Sequence, residues 1–221
     1  MDKIIAFLFM AIDHAGLILF PSNSLLRVIG RFAMPMYAYG IAKGYYFSVK
    51  HRTLQKYKRN LMILAIVSQV PFFFTVEKIE LNICVTWLFA IYLLDFILSK
   101  KYINAYCLLI IYTLLQSFIK TDYGILGLIL PMGIYFFESK SFENKNKSLS
   151  LMLYPYTLLA SFMYCFIDGN INSIQYYCIL YIPILNFALS QKFNKVYIPK
   201  WLNYSFYPLS MIPFLLIKLF I

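Results

Sequence analysis

Long apolar runs recur along the whole chain and constrain its fold more than any other feature. The first, residues 3–20, is apolar on every helical face except at Asp13 and His14. Further runs follow at residues 28–49, 60–76, 81–98, 102–119, 123–137, 149–167, 171–189 and 203–221. A membrane-spanning helix needs about 20 residues, so about nine such helices would use nearly the whole chain. The sequence therefore predicts an all-α, polytopic transmembrane helix bundle, a single domain over residues 1–221.

Composition agrees with a membrane protein and excludes an ordinary soluble domain. The 221 residues are 62% hydrophobic and 13% charged, whereas soluble domains are about 45–50% apolar and 25% charged. A basic residue followed by an apolar run is also typical of a signal peptide. The ionisable pair within the run and the lack of a small-residue cleavage site favour a retained first span.

Basic residues are concentrated in alternate connections between the runs. Of the 20 lysines and arginines, 15 are Lys3 or belong to the connections after the second, fourth, sixth and eighth runs, with Lys43 counted in the connection that follows it. The positive-inside rule then places the N-terminus in the cytoplasm and the C-terminus outside. This topology explains the net charge of +11 without a nucleic-acid partner. Binding of anionic membrane lipid is a secondary role for these loops.

The first run also contains the strongest candidate site. Ionisable residues inside a membrane helix are unfavourable and usually functional, which singles out Asp13 and His14. Lys3 and His14 share a helix face about 16 Å apart, so one elongated ligand could contact both. Asp13 points about 100° away and needs a partner on another helix, for which Arg31 is a candidate. The alternatives are a packing role for His14 and a topological role for Lys3.

The second run predicts a kinked helix with polar groups near its start. Arg27 and Arg31 are one turn apart, and we expect Arg27 to extend its side chain outward to the interface. Pro35 would kink the helix and free the backbone carbonyl of residue 31. The Arg31 side chain could equally have a functional or a structural role. Gly40 and Gly44 predict the close approach of another helix.

Two further polar residues, Asn82 and Asp122, lie near outer helix ends, at a depth similar to His14 and Arg31 under this topology. Asp122 could equally be a helix N-cap. The chain has only two histidines, His14 and His51, and its four cysteines have no CxxC spacing. The sequence therefore predicts no metal site.

Five sequence blocks together resemble a known family. They are MAIDHAG at residues 10–16, IGRFAMPMYAYGIAKGY at 29–45, NICVT at 82–86, DYG at 122–124 and SFYPLS at 205–210. In this order they resemble the TraX-like family, named for the F-pilin acetylation protein and similar to the larger integral-membrane acyltransferase superfamily. The resemblance covers nearly the whole chain.

The resemblance implies a membrane-bound, acyl-CoA-dependent acetyltransferase, in bacteria a multi-pass protein of the cytoplasmic membrane. Acetyl-CoA would bind from the cytoplasmic side as co-substrate. The acceptor would be an amine or hydroxyl of an exported pilin N-terminus, peptide or surface glycan.

Residue by residue, the resemblance makes His14 the central catalytic base and Asp13 its neighbouring acid. It also implies substrate or acetyl-CoA binding by Lys3, Arg31, Asn82, Asp122, Tyr207 and Ser210. Related sequences tend to carry a histidine in the last block, where this chain has Ser210. Because serine is not a base at neutral pH, a mechanism with two histidines is not expected here.

Two other functions compete with acetyl transfer. A small transporter could use Asp13, His14 and Arg31 to relay protons or bind an anion, although the chain has no recognisable inverted repeat. A non-catalytic membrane partner of an export or conjugation assembly would need no catalytic role for His14.

Overall fold

The computed structural model describes residues 2–76, 79–143, 155–157, 159 and 199–220. This part of the chain contains eight α-helices and one 3-10 turn, Ser139–Ser141. The helices are α1 (Asp2–Ile18), α2 (Ser24–Gly30), α3 (Ala33–Lys50), α4 (Leu54–Phe73), α5 (Ile83–Leu98), α6 (Tyr102–Phe118), α7 (Gly124–Glu138) and α8 (Lys200–Phe220). The prediction of an all-α fold is confirmed for the described residues.

The membrane prediction has no comparable support from the helices themselves. None of the helices within the described ranges combines the length and the apolar character needed to cross a membrane. The predicted spans at 149–167 and 171–189 lie almost entirely outside the described residues. The polytopic arrangement, the span count and the single domain therefore stay predictions.

The predicted kinked helix over residues 28–49 is wrong, because two helices occupy this stretch. The first, α2, ends at Gly30, the Arg31 backbone N–H donates to the Arg27 carbonyl oxygen at 3.0 Å, and α3 begins at Ala33. Pro35 thus lies in the first turn of α3, where a backbone N–H has no helical partner in any case. The chain accommodates the proline by starting a new helix after Arg31.

Helix α1 packs against α2, α3 and α8, while α7 packs against both α3 and α5. The contact of α1 with α2 is unusually close, since a Cβ atom at Gly30 would lie 2.4 Å from Asp13 Cα. Glycine at this position therefore brings the Asp13 backbone against α2. This contact orients Asp13 toward the arginines of the α2 region.

At the glycine pair of α3, a tight contact with a described residue exists at one glycine only. A Cβ atom at Gly44 would lie 2.8 Å from the Tyr57 hydroxyl oxygen of α4, so Gly44 leaves room for this side chain. At Gly40 the same construction finds no atom within 4 Å. The prediction of a close helix contact at Gly40 is wrong, because Gly40 borders open space.

An ion pair joins α4 and α5 at the buried Lys58. Its Nζ atom lies 2.5 Å from Asp95 Oδ2 and 4.2 Å from the centre of the Tyr92 ring. The Tyr45 hydroxyl of α3 donates to the other Asp95 oxygen at 3.4 Å. Helix α4 begins six residues before the predicted start, so part of the predicted basic loop is helical and supplies Lys58.

Candidate functional site

His14 is buried near the end of α1 and contacts Ser210 of α8. Its Nδ1 atom lies 2.8 Å from Ser210 Oγ, and Ser210 Oγ lies 2.9 Å from the Tyr207 carbonyl oxygen. Because a carbonyl oxygen only accepts, the serine hydroxyl donates to Tyr207, and His14 Nδ1–H donates to the serine oxygen. This is the arrangement that satisfies both contacts. It leaves Nε2 of the neutral imidazole with a lone pair and without a hydrogen bond from the described residues.

Asp13 finds its partners in the α2 region, as the helical geometry of α1 required. Its Oδ1 atom lies 3.0 Å from Arg27 Nη1 and 3.8 Å from Arg31 Nε. Arg27 also donates to the Asp13 backbone oxygen at 3.1 Å. The prediction that Arg27 extends outward is wrong, because its side chain is only 14% exposed and pairs with Asp13. Arg31 is buried, and its guanidinium lies 4.8 Å from the centre of the Tyr123 ring.

A cavity of about 350 Å³, which we call the histidine cavity, is lined by several of these groups. Five of the predicted site residues border it: Asp13, His14, Arg31, Asp122 and Tyr207. Ser210 is not among the described residues that line it, and it contacts His14 through the Nδ1 atom. Glu80 and Lys120 also line the cavity and add charges to it. The cavity therefore has both acidic and basic groups within a buried, largely helical frame.

Asp122 lies in the connection before α7 and lines the histidine cavity. Burial raises the pKa of this carboxyl to about 6, against the opposing effect of Arg31. The alternative N-cap role is wrong. The residue preceding α7 is Tyr123, whose φ of 60° is left-handed, and no side chain caps the helix. The backbone of Asp122 is held by a 2.7 Å hydrogen bond from its N–H to the Leu81 carbonyl.

Asn82 is not among the described residues that line the histidine cavity. Its side-chain oxygen caps α5 by accepting from the Cys84 N–H at 3.0 Å. Its amide nitrogen donates to the Ala65 carbonyl and to Gln69 Oε1 of α4, each at 2.8 Å. Asn82 is fully buried and joins α4 to α5, and these contacts account for its polar atoms. A substrate-binding role for Asn82 has no support in this arrangement.

A second cavity, of about 380 Å³, lies toward the start of α1, and we call it the lysine-end cavity. Its lining is mostly apolar, with Lys3 and Lys43 as its basic residues among those described. Lys3 is exposed. Since α1 is helical from Asp2 to Ile18, Lys3 and His14 are about 16 Å apart along its axis.

Four residues line both cavities: Met10, Tyr37, Trp87 and Tyr207. Sequence reasoning missed Tyr37 and Trp87, because tyrosine is abundant in this chain and neither residue is ionised at neutral pH. Arg27 could have been recognised, since it lies one turn from Arg31. The two aromatic residues become visible as site residues only through the cavities that they border.

The chain is similar to one protein family over nearly its whole length. A family model described as "TraX protein" matches residues 2–218. A 52-residue segment is 38% identical to an uncharacterized protein of Rickettsia prowazekii (strain Madrid E). That segment is 24% of this chain and 21% of that protein, so the match spans about a fifth of the relative's length. No solved structure matches the chain.

Proposed function

The chain belongs to the TraX protein family, and on this basis we propose that it is a membrane-embedded acetyltransferase. It transfers an acetyl group from cytoplasmic acetyl-CoA to an amine or hydroxyl of an exported acceptor. Candidate acceptors are a pilin N-terminus, a peptide or a surface glycan. The proposal includes membership in the integral-membrane acyltransferase superfamily.

The observation that carries the proposal is the hydrogen bonding of His14. Its Nδ1–H is engaged by Ser210, which leaves Nε2 as the ring nitrogen with a lone pair, and His14 lines the histidine cavity. A neutral imidazole in this tautomer is suited to general-base catalysis near neutral pH. Arg27 and Arg31 form ion pairs with the Asp13 carboxylate. These pairs hold the α2 region against α1, and the three charges shape the electrostatic surroundings of His14.

The proposed reaction is a single acyl transfer. The acceptor nitrogen or oxygen attacks the thioester carbonyl carbon, and its proton passes to His14 Nε2. The carbonyl π electrons move to oxygen and return as the carbon–sulfur bond breaks. The departing CoA thiolate takes the proton from His14, which regenerates the neutral base. The products are the acetylated acceptor and free CoA, with no net change at the enzyme.

The two cavities suit the two substrates. CoA carries anionic phosphates at one end and a thioester at the other. The basic Lys3 and Lys43 border the lysine-end cavity, and its apolar lining fits the pantetheine arm. The histidine cavity, with Asp13 and Asp122 among its acidic groups, is polar enough to take an acceptor amine or hydroxyl.

A membrane location is part of the same proposal. Apolar side chains are exposed along three helices: Ile66 and Val70 on α4, Ile103 and Ile111 on α6, and Leu216 and Phe220 on α8. Large exposed apolar surfaces mark contact with other proteins or with lipid. We propose that lipid covers these faces, with the N-terminus cytoplasmic and Lys3 at the cytoplasmic mouth.

The test is acetyl-CoA binding and slow hydrolysis by purified protein in detergent. We expect wild type to bind and hydrolyse acetyl-CoA, and His14→Ala to bind it with turnover lowered by about 10²- to 10⁴-fold. His51→Ala is the matched control, because His51 is the other histidine of the chain and lies exposed at the end of α3. Failure of folded wild type to bind acetyl-CoA would overturn the proposal. Ion flux in proteoliposomes without acetyl-CoA would then favour the transporter.

A further inference from the structure

Four side chains line both cavities, and we call them the junction: Met10, Tyr37, Trp87 and Tyr207. Met10 precedes His14 by four residues on α1, which is about 6 Å along the helix axis. The Tyr207 ring centre lies 5.7 Å from that of His14. The junction is therefore about one helical turn from the proposed base. A ligand that extends from the lysine-end cavity toward His14 passes these four side chains.

Two hydrogen-bond donors at this junction have no acceptor within the described part of the chain. The Tyr37 hydroxyl oxygen and Trp87 Nε1 are both buried, and neither has a hydrogen-bond partner among the described residues. Their rings lie side by side, with centres 6.3 Å apart and planes inclined by 20°. Trp87 as a whole is only 4% exposed, so water does not reach it freely.

Buried donors are rarely left without an acceptor, because the unpaired group is unfavourable in a non-aqueous environment. Phenylalanine at position 37 would fill nearly the same volume without this penalty. The presence of two such donors on neighbouring rings, on two different helices, indicates an acceptor that belongs to a ligand. Neither donor is charged, which suits a neutral acceptor such as a carbonyl oxygen.

We propose that Tyr37 and Trp87 donate hydrogen bonds to the carbonyl oxygen of the acetyl thioester. This inference rests on the proposed acetyltransferase function and adds two residues to its site. As the acceptor attacks, the carbonyl carbon becomes tetrahedral and negative charge develops on that oxygen. The two donors stabilise this charge, and it returns to the carbonyl when the carbon–sulfur bond breaks. Both donors keep their own protons throughout.

The placement also assigns different work to the two ends of the reacting group. The thioester lies at the junction, with its carbonyl oxygen toward Tyr37 and Trp87. The acceptor enters from the histidine cavity, where His14 Nε2 receives its proton. The hydrogen-bond donors Tyr37 and Trp87 and the base His14 therefore act on different atoms. Removing a donor and removing the base are expected to have separate effects on the reaction.

The test compares Tyr37→Phe with wild type in acetyl-CoA hydrolysis. We expect kcat to fall by about 10²-fold, as for the removal of one oxyanion donor, while the Tm is unchanged or raised. Tyr45→Phe is the matched control, because Tyr45 is a buried tyrosine of the same helix that lines neither cavity. Trp87→Phe gives a second variant, in which loss of the N–H is expected to lower kcat in the same direction.

A binding measurement separates recognition of the carbonyl from general effects on the fold. The probe is S-ethyl-CoA, a thioether that has the CoA moiety and lacks the carbonyl oxygen. Wild type should bind acetyl-CoA about 5- to 160-fold more tightly than S-ethyl-CoA, which is the worth of two hydrogen bonds. Tyr37→Phe keeps the Trp87 donor and should lower this preference by about 2- to 13-fold, the worth of one hydrogen bond, through weaker binding of acetyl-CoA alone.

The outcomes distinguish this inference from the function on which it rests. If folded wild type neither binds nor hydrolyses acetyl-CoA, the acetyltransferase proposal fails and this one with it. If His14→Ala loses turnover while Tyr37→Phe keeps kcat within about threefold of wild type, the donor role alone is overturned. An undiminished preference of Tyr37→Phe for acetyl-CoA over S-ethyl-CoA would overturn it too.

Discussion

Replacement of Ser210 by alanine tests how His14 is held in its reactive tautomer. The serine oxygen accepts the Nδ1 proton at 2.8 Å, and both side chains are less than 10% exposed. A neutral hydrogen bond contributes about 0.5–1.5 kcal/mol, and a buried donor left without an acceptor costs about 1–3 kcal/mol. Ser210→Ala should therefore lower the free energy of unfolding by about 1–3 kcal/mol.

The same change should redistribute the imidazole proton. The hydrogen bond to Ser210 favours the Nδ1–H tautomer of His14 by about 0.5–1.5 kcal/mol. Its removal lowers the population of this tautomer, relative to the Nε2–H tautomer, by about 2- to 13-fold. The alternative carries its proton on Nε2 and cannot act as a base toward the histidine cavity. We therefore expect kcat to fall by up to the same factor, with little change in KM for acetyl-CoA. Ser210→Thr retains the hydroxyl and should keep most of the activity.

The assay for the tautomer is ¹⁵N NMR of protein labelled at histidine. The chain has only two histidines, so the His51→Ala spectrum assigns the signals of His14. In wild type we expect the Nδ1 shift of a protonated nitrogen and the Nε2 shift of a bare one. If Ser210→Ala leaves both shifts and kcat unchanged, Ser210 does not hold the proton on Nδ1 and the reasoning is refuted.

Three further perturbations follow from the same structure. Lys58→Met leaves the partly buried Asp95 without its ion-pair partner, which should lower the free energy of unfolding by at most about 3 kcal/mol, measured against the exposed Lys56→Met. The folded-state pKa of Asp122, about 6, exceeds its ordinary value of 3.8, so its stabilising contribution is present below 3.8 and lost as pH rises through 6. Asp122→Asn removes this loss, so its free energy of unfolding minus that of wild type should be about 1 kcal/mol larger at pH 7.5 than at pH 5. Thermal unfolding of both proteins at the two pH values measures this difference. Gly40→Leu should fill open space at the lysine-end cavity and raise KM for acetyl-CoA, with Gly40→Ala having a smaller effect.

Each of these three has a clear contrary result. Equal thermal stability of Lys58→Met and Lys56→Met would show that the α4–α5 ion pair contributes nothing. A pH-independent difference between Asp122→Asn and wild type would contradict the raised pKa of this carboxyl. An unchanged KM for acetyl-CoA in Gly40→Leu would place the donor substrate outside the lysine-end cavity.

Most of the helices could be predicted from the sequence because their signals are local. Apolar runs separated by turn residues indicate where helices begin and end. Five of the described helices lie within about three residues of the predicted runs, and α4 begins six residues early. The exceptions were α2 and α3, where a proline predicted a kink. Whether a proline kinks one helix or opens a new one depends on neighbouring helices. Here Gly30 allows α2 to pack closely on α1, which favours a break after Arg31.

The candidate site was predictable only where its residues are ionisable. His14, Asp13 and Arg31 stand out because charges are unfavourable among apolar residues. Asn82 had the same appearance, yet its polar atoms hold α4 to α5. Tyr37 and Trp87 had no distinguishing feature in the sequence. A buried donor becomes conspicuous only when its surroundings show that it has no acceptor.

The sequence by itself determined the all-α class, the family and the ionisable pair in the first helix, because composition and short motifs are read along the chain. The tertiary structure decided what those residues can do. The partner of His14 is 196 residues away, and the tautomer of the imidazole depends on that one hydrogen bond. The placement of Tyr37 and Trp87 at both cavities likewise depends on four helices packing together. Such contacts are set by the distances between helices, which no local pattern specifies.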